Sequence, residues 1–247
     1  MKIIFYYVLF PLYRPFYLIS LIVNTFLLGS LIILLSPLDR SGKFLHYIGK
    51  FWSRINIYLA FCRVSVQGME NLDRRRTYVV LSNHQSLFDV WILIAYLPLQ
   101  LRWVIKNEIR KMPVFGYALE RMGHIYVDRD RGSSVVQGIE RAVKKVKEGT
   151  SVVFFPEGTR SEDGRMGKFR RGGFVLAQKT GYPILPITIN GSRFVLPKNT
   201  LDLMPGKIEI HIKPSIEYSS NMPLTLLVKK VQEVIQEKLD LSFGKRT

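Results

Sequence analysis

The sequence predicts an α/β fold: a mostly parallel sheet flanked by helices, preceded by an N-terminal membrane-associating helical hairpin. Two observations carry that expectation. Beyond residue 62, short β-branched runs alternate with stretches of helical periodicity, as in layered folds with a largely parallel sheet. Before it, residues 16–35 (FYLISLIVNTFLLGSLIILL) hold twenty positions without a charge, enough to cross a hydrocarbon core of about 30 Å. The expected organisation is a two-helix segment over 1–62 and an α/β domain over 63–247.

The first element runs to Pro37. It is too long for a cleavable signal peptide, and no small-x-small cleavage site follows it. The second, KFLHYIGKFWSRINIYLAF (43–61), mixes aromatic and branched residues with Lys43, Lys50 and Arg54. That mixture suits an interfacial helix whose cations snorkel toward water. The turn signals SPLDRSG between them make a hairpin, which either spans the bilayer or stays in one leaflet. The expected location is the cell membrane, with the α/β domain on the cytoplasmic face.

Seven strands are predicted over residues 63–68, 77–82, 101–106, 124–129, 150–156, 182–189 and 207–213. Helices are predicted over 87–97, 114–121, 134–148, 173–180 and 223–241. In a parallel sheet of this kind, ligands sit beyond the carboxyl ends of the strands.

Composition removes several function classes. The 36 Lys and Arg outnumber the 19 Asp and Glu, for a net charge of +17. Six Lys and Arg against one Asp in residues 1–62 leave +12 on the α/β part, so the positive field is not confined to an anchor. Such a field draws anions. No nucleic-acid recognition motif accompanies it, and residues 16–35 would be unexplained in a nucleic-acid binder. Cys62 is the sole cysteine, so no intrachain disulfide forms. The histidines, His46, His84, His124 and His211, fall in no HExxH or Cys-flanked pattern, which argues against a zinc site. GxSxG is absent as well.

One polar pair stands out at the end of the second predicted strand. NHQSLFD (83–89) places His84 just after the apolar run TYVVLS and Asp89 five positions on. On one regular helix these would lie about 140° apart. Ser86-x-x-Asp89 ahead of an apolar run instead reads as a capping box, with Ser86 at the N-cap. His84 then sits in the turn before the helix, and Asp89, leaning toward the helix N-terminus, reaches back to an imidazole nitrogen. That arrangement fixes a tautomer and leaves the other nitrogen free as a base. The plainer alternative is a helix cap beside an ordinary turn histidine. Asn83 is placed to pin the loop through its amide.

A second strand ends in FPEGTRSEDGRMGKFRRGG (155–173). Glu157 and Arg160 stand where it leaves the core, and Arg165, Lys168, Arg170 and Arg171 follow on a glycine-rich loop. Cationic side chains with exposed backbone N–H groups suit a phosphate. A base beside an anion cradle suits attack by a hydroxyl of a phosphorylated substrate on an activated carbonyl.

At this point the chain resembles the glycerolipid acyltransferases. NHQSLFD matches their NHx4D motif and FPEGTR (155–160) their motif of the same letters. GHIYVDR (123–129) resembles the motif between those two, and ILPIT (184–188) the apolar proline motif after them. The resemblance implies acyl transfer from an acyl-carrier protein or acyl-CoA thioester to the sn-2 hydroxyl of lysophosphatidic acid, giving phosphatidic acid. His84 and Asp89 would be catalytic, without an acyl-enzyme, a metal or a further cofactor. Glu157, Gly158, Thr159 and Arg160 would bind the acceptor, with Arg129 a further contact and Pro186 shaping the pocket. Lys106 is added from its place at a strand end. Implied partners are lysophosphatidic acid, the thioester carrier and the bilayer. Glycerol-3-phosphate or another lysophospholipid as acceptor, and a non-catalytic module binding anionic lipid, are the alternatives. His124, inside the middle motif, is either a second titrating group or a structural strand-edge residue.

Overall fold

The computed structural model describes residues 9–128, 130–218 and 222–245. Seven strands form one sheet in the order β1-β7-β6-β2-β5-β3-β4. They are β1 (Arg63–Gln67), β2 (Val79–Ser82), β3 (Leu101–Lys106), β4 (Ile125–Val127), β5 (Ser151–Phe154), β6 (Ile184–Asn190) and β7 (Lys207–Ile212). All neighbours are parallel except β6 and β7. Each predicted strand is present, and the central ones are buried on both faces, which is why they read as continuous apolar runs.

Alternation along β2 separates the two cores. Val80 joins the cluster beneath α1 (Phe10–Leu35), α2 (Lys43–Leu59) and α3 (Phe88–Tyr96). Val79 and Leu81 join the opposite one, beneath α5 (Gly132–Lys147), α6 (Gly172–Thr180) and α8 (Leu224–Gln236). The helix α4 (Phe115–Arg121) lies against α1, and a single turn, α7 (Ser192–Val195), follows β6. The last helix is predicted to reach residue 241 but ends at Gln236. There the Asn190 side chain accepts from Asp240 N–H at 3.0 Å and donates to the Lys238 carbonyl at 2.8 Å, drawing the chain out of helical register. Pro186, lacking an N–H, sits in a gap of the β6–β7 ladder between the Ile184–Ile216 bridge and the Ile187–Ile212 pair.

The two N-terminal helices pack as the predicted hairpin. Asn24 and Asn56 exchange amide hydrogen bonds at 3.0 and 3.3 Å, and Trp52 Nε1 donates to Thr25 Oγ1 at 3.0 Å. The Asp39 carboxylate accepts from Phe44 and Leu45 N–H at the start of α2, the usual device for orphan helix donors. Two of the expected snorkelling cations, half-buried Lys50 and exposed Arg54, also reach a neighbouring helix end. Lys50 Nζ donates to the Leu97 carbonyl at 2.8 Å and Arg54 Nε to the Ala95 carbonyl at 3.2 Å. Both serve the free carbonyls and negative pole at the end of α3. Arg102, fully buried on β3, donates to the Gly42 carbonyl at 2.8 Å, tying the sheet to the hairpin turn.

The outward face of this pair is apolar. Leu12, Phe16, Ile19, Val23 and Phe26 of α1 and Phe44, Tyr47 and Phe51 of α2 are exposed, far more contiguous apolar surface than a water-soluble face tolerates. By length and composition α1 is able to cross a membrane.

His124 has the structural role. It is buried, its Nδ1 accepts from Trp103 N–H at 3.1 Å, and desolvation, with Arg102 adding to it, holds its pKa well below the usual 6.5. A neutral folded-state histidine that protonates on unfolding adds nothing to pH dependence above its unfolded pKa and subtracts stability below it. Unfolding free energy should therefore fall below pH ~6.5, by up to about 1.4 kcal/mol per pH unit from this residue. Denaturant titrations at several pH values should show a shallower fall for His124→Asn, which keeps an acceptor for Trp103 N–H.

Candidate active site

Backbone register brings the two sequence motifs together. β2 and β5 are parallel neighbours with Leu81 opposite Phe154. His84 and Glu157, each three residues further on, leave the same end of the sheet side by side. The contact is made through the main chain: His84 N–H donates to Glu157 Oε1 at 2.8 Å, and Ser161 N–H donates to the His84 carbonyl at 2.8 Å. Glu157 Oε2 accepts from Gly167 N–H at 2.9 Å. Asn83 locks the β2 exit to β6, accepting from Ile189 N–H at 2.7 Å and donating to the Ile189 carbonyl at 2.8 Å.

Asp89, the second residue of α3, is fully buried and points back over the turn. Its Oδ2 accepts from His84 Nδ1–H at 2.7 Å, Gln85 N–H at 2.6 Å and Ser86 N–H at 2.8 Å. The bond from Ser86 N–H is one half of the expected capping box. In the other half Ser86 Oγ accepts from Phe88 N–H at 3.3 Å, not from Asp89, and donates to the Leu196 carbonyl at 2.8 Å. One carboxylate oxygen thus caps the helix and orients the imidazole at once. With the proton on Nδ1, Nε2 carries the free lone pair. Phe155 stacks on the imidazole, centroids 3.9 Å apart and planes 11° apart, which holds the ring plane.

Two cavities meet at His84. One, of about 250 Å³, is walled by α1 and α2 (Leu28, Gly29, Trp52) on one side and by Trp91, Trp103 and Phe115 on the other. It is lined almost wholly by apolar side chains and runs from His84 down β3 toward Met122. The other, of about 400 Å³, is bordered by Lys106, Gly158, Thr159, Arg160 and Arg170, with no Asp or Glu in its lining. An apolar slot and a bowl lined by three cations thus share one imidazole.

The expected site residues divide accordingly. His84 and Asp89 meet; Lys106, Gly158, Thr159 and Arg160 line the cationic cavity. Glu157 does not: it is 8% exposed, and both of its oxygens are taken by main-chain amides. Burial raises its carboxyl above the ordinary range, while those amide bonds from Gly167 and His84 pull it down. It braces the two loops. Arg129 lies outside the described residues. Arg165 pairs with Asp163 at 3.7 Å, and neither it, Lys168 nor Arg171 enters either cavity. Phe155 and the hairpin wall escaped sequence reasoning, because stacking and cavity walls join positions far apart in the chain. Among the described residues no three His, Cys, Asp or Glu cluster as a metal site.

The sheet and the His–Asp pair at its carboxyl edge define the class of protein, and comparison with known families agrees. The Acyltransferase family model matches residues 63–190, and the chain belongs to that family. It is 38% identical over 201 residues to the chloroplastic 1-acyl-sn-glycerol-3-phosphate acyltransferase BAT2 of Brassica napus, an alignment covering 81% of this chain and 57% of that one. With the 1-acyl-sn-glycerol-3-phosphate acyltransferase of Pseudomonas aeruginosa it is 33% identical, over 84% of this chain and 81% of the other. The chain thus spans under three-fifths of the length of the chloroplast relative. The crystal structure of the 1-acyl-sn-glycerophosphate (LPA) acyltransferase PlsC from Thermotoga maritima superposes with a TM-score of 0.79 at 26% identity. That match covers 92% of this chain and 94% of the other.

Glu157→Ala should leave the His84 and Gly167 amides without an acceptor, lowering unfolding free energy by roughly 1–3 kcal/mol. Hydrogen exchange followed residue by residue should show faster exchange at those two amides first. Unchanged protection there would contradict the bracing role.

Proposed function

We propose that the protein transfers an acyl chain from a thioester of acyl-carrier protein or CoA to the sn-2 hydroxyl of lysophosphatidic acid, forming phosphatidic acid. The observation that carries this is the placement of a carboxylate-oriented imidazole at the junction of an apolar slot and a cationic bowl. Such a junction fits an amphiphilic acyl group and a phosphorylated acceptor meeting at one base. The names of the relatives support the same substrates.

In the proposed reaction His84 Nε2 takes the hydroxyl proton as that oxygen attacks the thioester carbonyl carbon. The tetrahedral adduct collapses with cleavage of the C–S bond, and the leaving sulfur takes the proton back from His84. Asp89 holds the ring through Nδ1 and offsets the charge of the transient imidazolium. No acyl-enzyme and no cofactor besides the thioester co-substrate takes part. Arg160 binds the acceptor phosphate and Lys106 adds charge at the cavity edge. The exposed apolar face of α1 and α2 enters the cytoplasmic leaflet of the cell membrane, so that both amphiphiles reach the site without crossing water.

Product analysis with lysophosphatidic acid and each thioester should show phosphatidic acid for the wild type. His84→Ala should lose on the order of 10²–10⁴ of the rate while vesicle binding persists. Retained transfer in that variant rules the mechanism out. Arg160→Ala should raise the acceptor KM more than the donor KM, because one charge-assisted phosphate contact is removed; steady-state kinetics varying each substrate checks it.

A further inference from the structure

We propose that Arg170 is the second guanidinium of a clamp that straddles Gly158 with Arg160 and selects a phosphomonoester over a phosphodiester. The inference rests on the acceptor reading above and names a residue and a headgroup for it.

Four cations follow the FPEGTR segment, and the fold sorts them. Of Arg165, Lys168, Arg170 and Arg171, Arg170 alone lines the cavity beside His84. Its main chain is held from two sides: Arg170 N–H donates to the Pro156 carbonyl at 2.7 Å, and the preceding Phe169 is buried against Phe174, with ring centroids 6.3 Å apart. The side chain then crosses Gly158. A Cβ built on that glycine would come within 2.6 Å of Arg170 Nε, and Gly158 has a φ of 75°. Only glycine gives both the left-handed turn and the space for the guanidinium stem.

Lys106, Arg160 and Arg170 line the bowl without a carboxylate among its lining residues, and of the three Lys106 is paired, with Glu108 Oε1 at 3.1 Å. Among the described residues neither Arg160 nor Arg170 forms an ion pair with Asp or Glu, whereas Arg14, Arg76, Arg110, Arg131 and Arg165 each do. Gly172 and Gly173, at the start of the nine-residue helix α6, border the same space and add the positive end of a helix. Two forked guanidiniums satisfy more of the oxygens of a terminal phosphate than of a diester, which has lost one oxygen and one charge to its second ester.

The test uses the full chain in detergent micelles, with two readouts. One is calorimetric binding of glycerol 3-phosphate, which needs no turnover; the other is the KM for lysophosphatidic acid. Arg170→Ala should raise both on the order of tenfold, the worth of one charge-assisted contact, with Arg170→Lys recovering part of the loss. Lys230→Ala, the same charge change on the exposed side of α8, should move neither. Gly158→Ala should weaken binding too, and its effect should combine with Arg170→Ala to less than the product, since both remove one contact. In wild type, monomethyl phosphate should compete better than dimethyl phosphate, and Arg170→Ala should narrow that gap. A Kd and KM within about twofold of wild type in Arg170→Ala, or equal competition by the two methyl phosphates, overturns the clamp. Arg170-dependent binding of glycerol 3-phosphate without phosphatidic acid formation upholds the clamp and removes the acceptor reading instead.

Discussion

The constraint on which the site depends is the parallel pairing of β2 with β5. Two strands running the same way in register must release their loops at the same end. That alone places His84 beside Glu157, residues 73 positions apart. The pairing is then completed by hydrogen bonds that involve the histidine's own peptide group, given to Glu157 and taken from Ser161. His84 is therefore held by its backbone before its side chain is considered. The imidazole is positioned a second time by Asp89 and a third by the face of Phe155. In the proposed reaction, a base fixed from three independent directions loses little freedom when a substrate arrives, which is how positioning lowers a barrier.

The hairpin is part of the same construction. Its inward face walls the apolar cavity through Leu28, Gly29 and Trp52, while its outward face carries exposed Phe16, Phe26, Phe44 and Phe51. Lys50 and Arg54 fasten it to the end of α3, the helix that carries Asp89, and Arg102 fastens it to β3. The surface proposed to meet lipid and the helix whose Asp89 orients His84 are thus joined by hydrogen bonds. In the proposed reaction an acyl chain leaves the leaflet and enters the slot without passing a flexible linker.

Much of this was legible in the chain. Every strand had a β-branched run bounded by turn residues, and the helices came within a few residues of their predicted ends. Two ends differ more: α1 starts at Phe10, six residues before the uncharged run, and α8 was shortened by a side chain from a strand, Asn190. His84 and Asp89 could be paired in advance because the capping pattern is local: five residues, one turn, one helix start. The bracing contacts of Glu157 are not legible in the chain, because its motif position shows only that it leaves the strand, whereas its partners, the His84 and Gly167 amides, are set by the fold. The helix-end contacts of Lys50 and Arg54 are hidden for the same reason, since a cation on an amphipathic helix has the same sequence whether or not it also meets the end of another helix.

The sequence by itself determined the α/β class, the apolar hairpin, the two strand-end motifs and the His–Asp spacing of the first of them. These follow from periodicity, turn chemistry and spacings of a few residues, all properties of neighbouring positions. Tertiary structure alone decided which cation of residues 165–171 lines the cavity beside His84, which carboxylate braces loops, and that helices from the first sixty residues wall the slot. Those outcomes depend on the direction in which a side chain leaves a packed element and on strands that are neighbours in space but not in sequence, quantities that exist only once the sheet has closed its register.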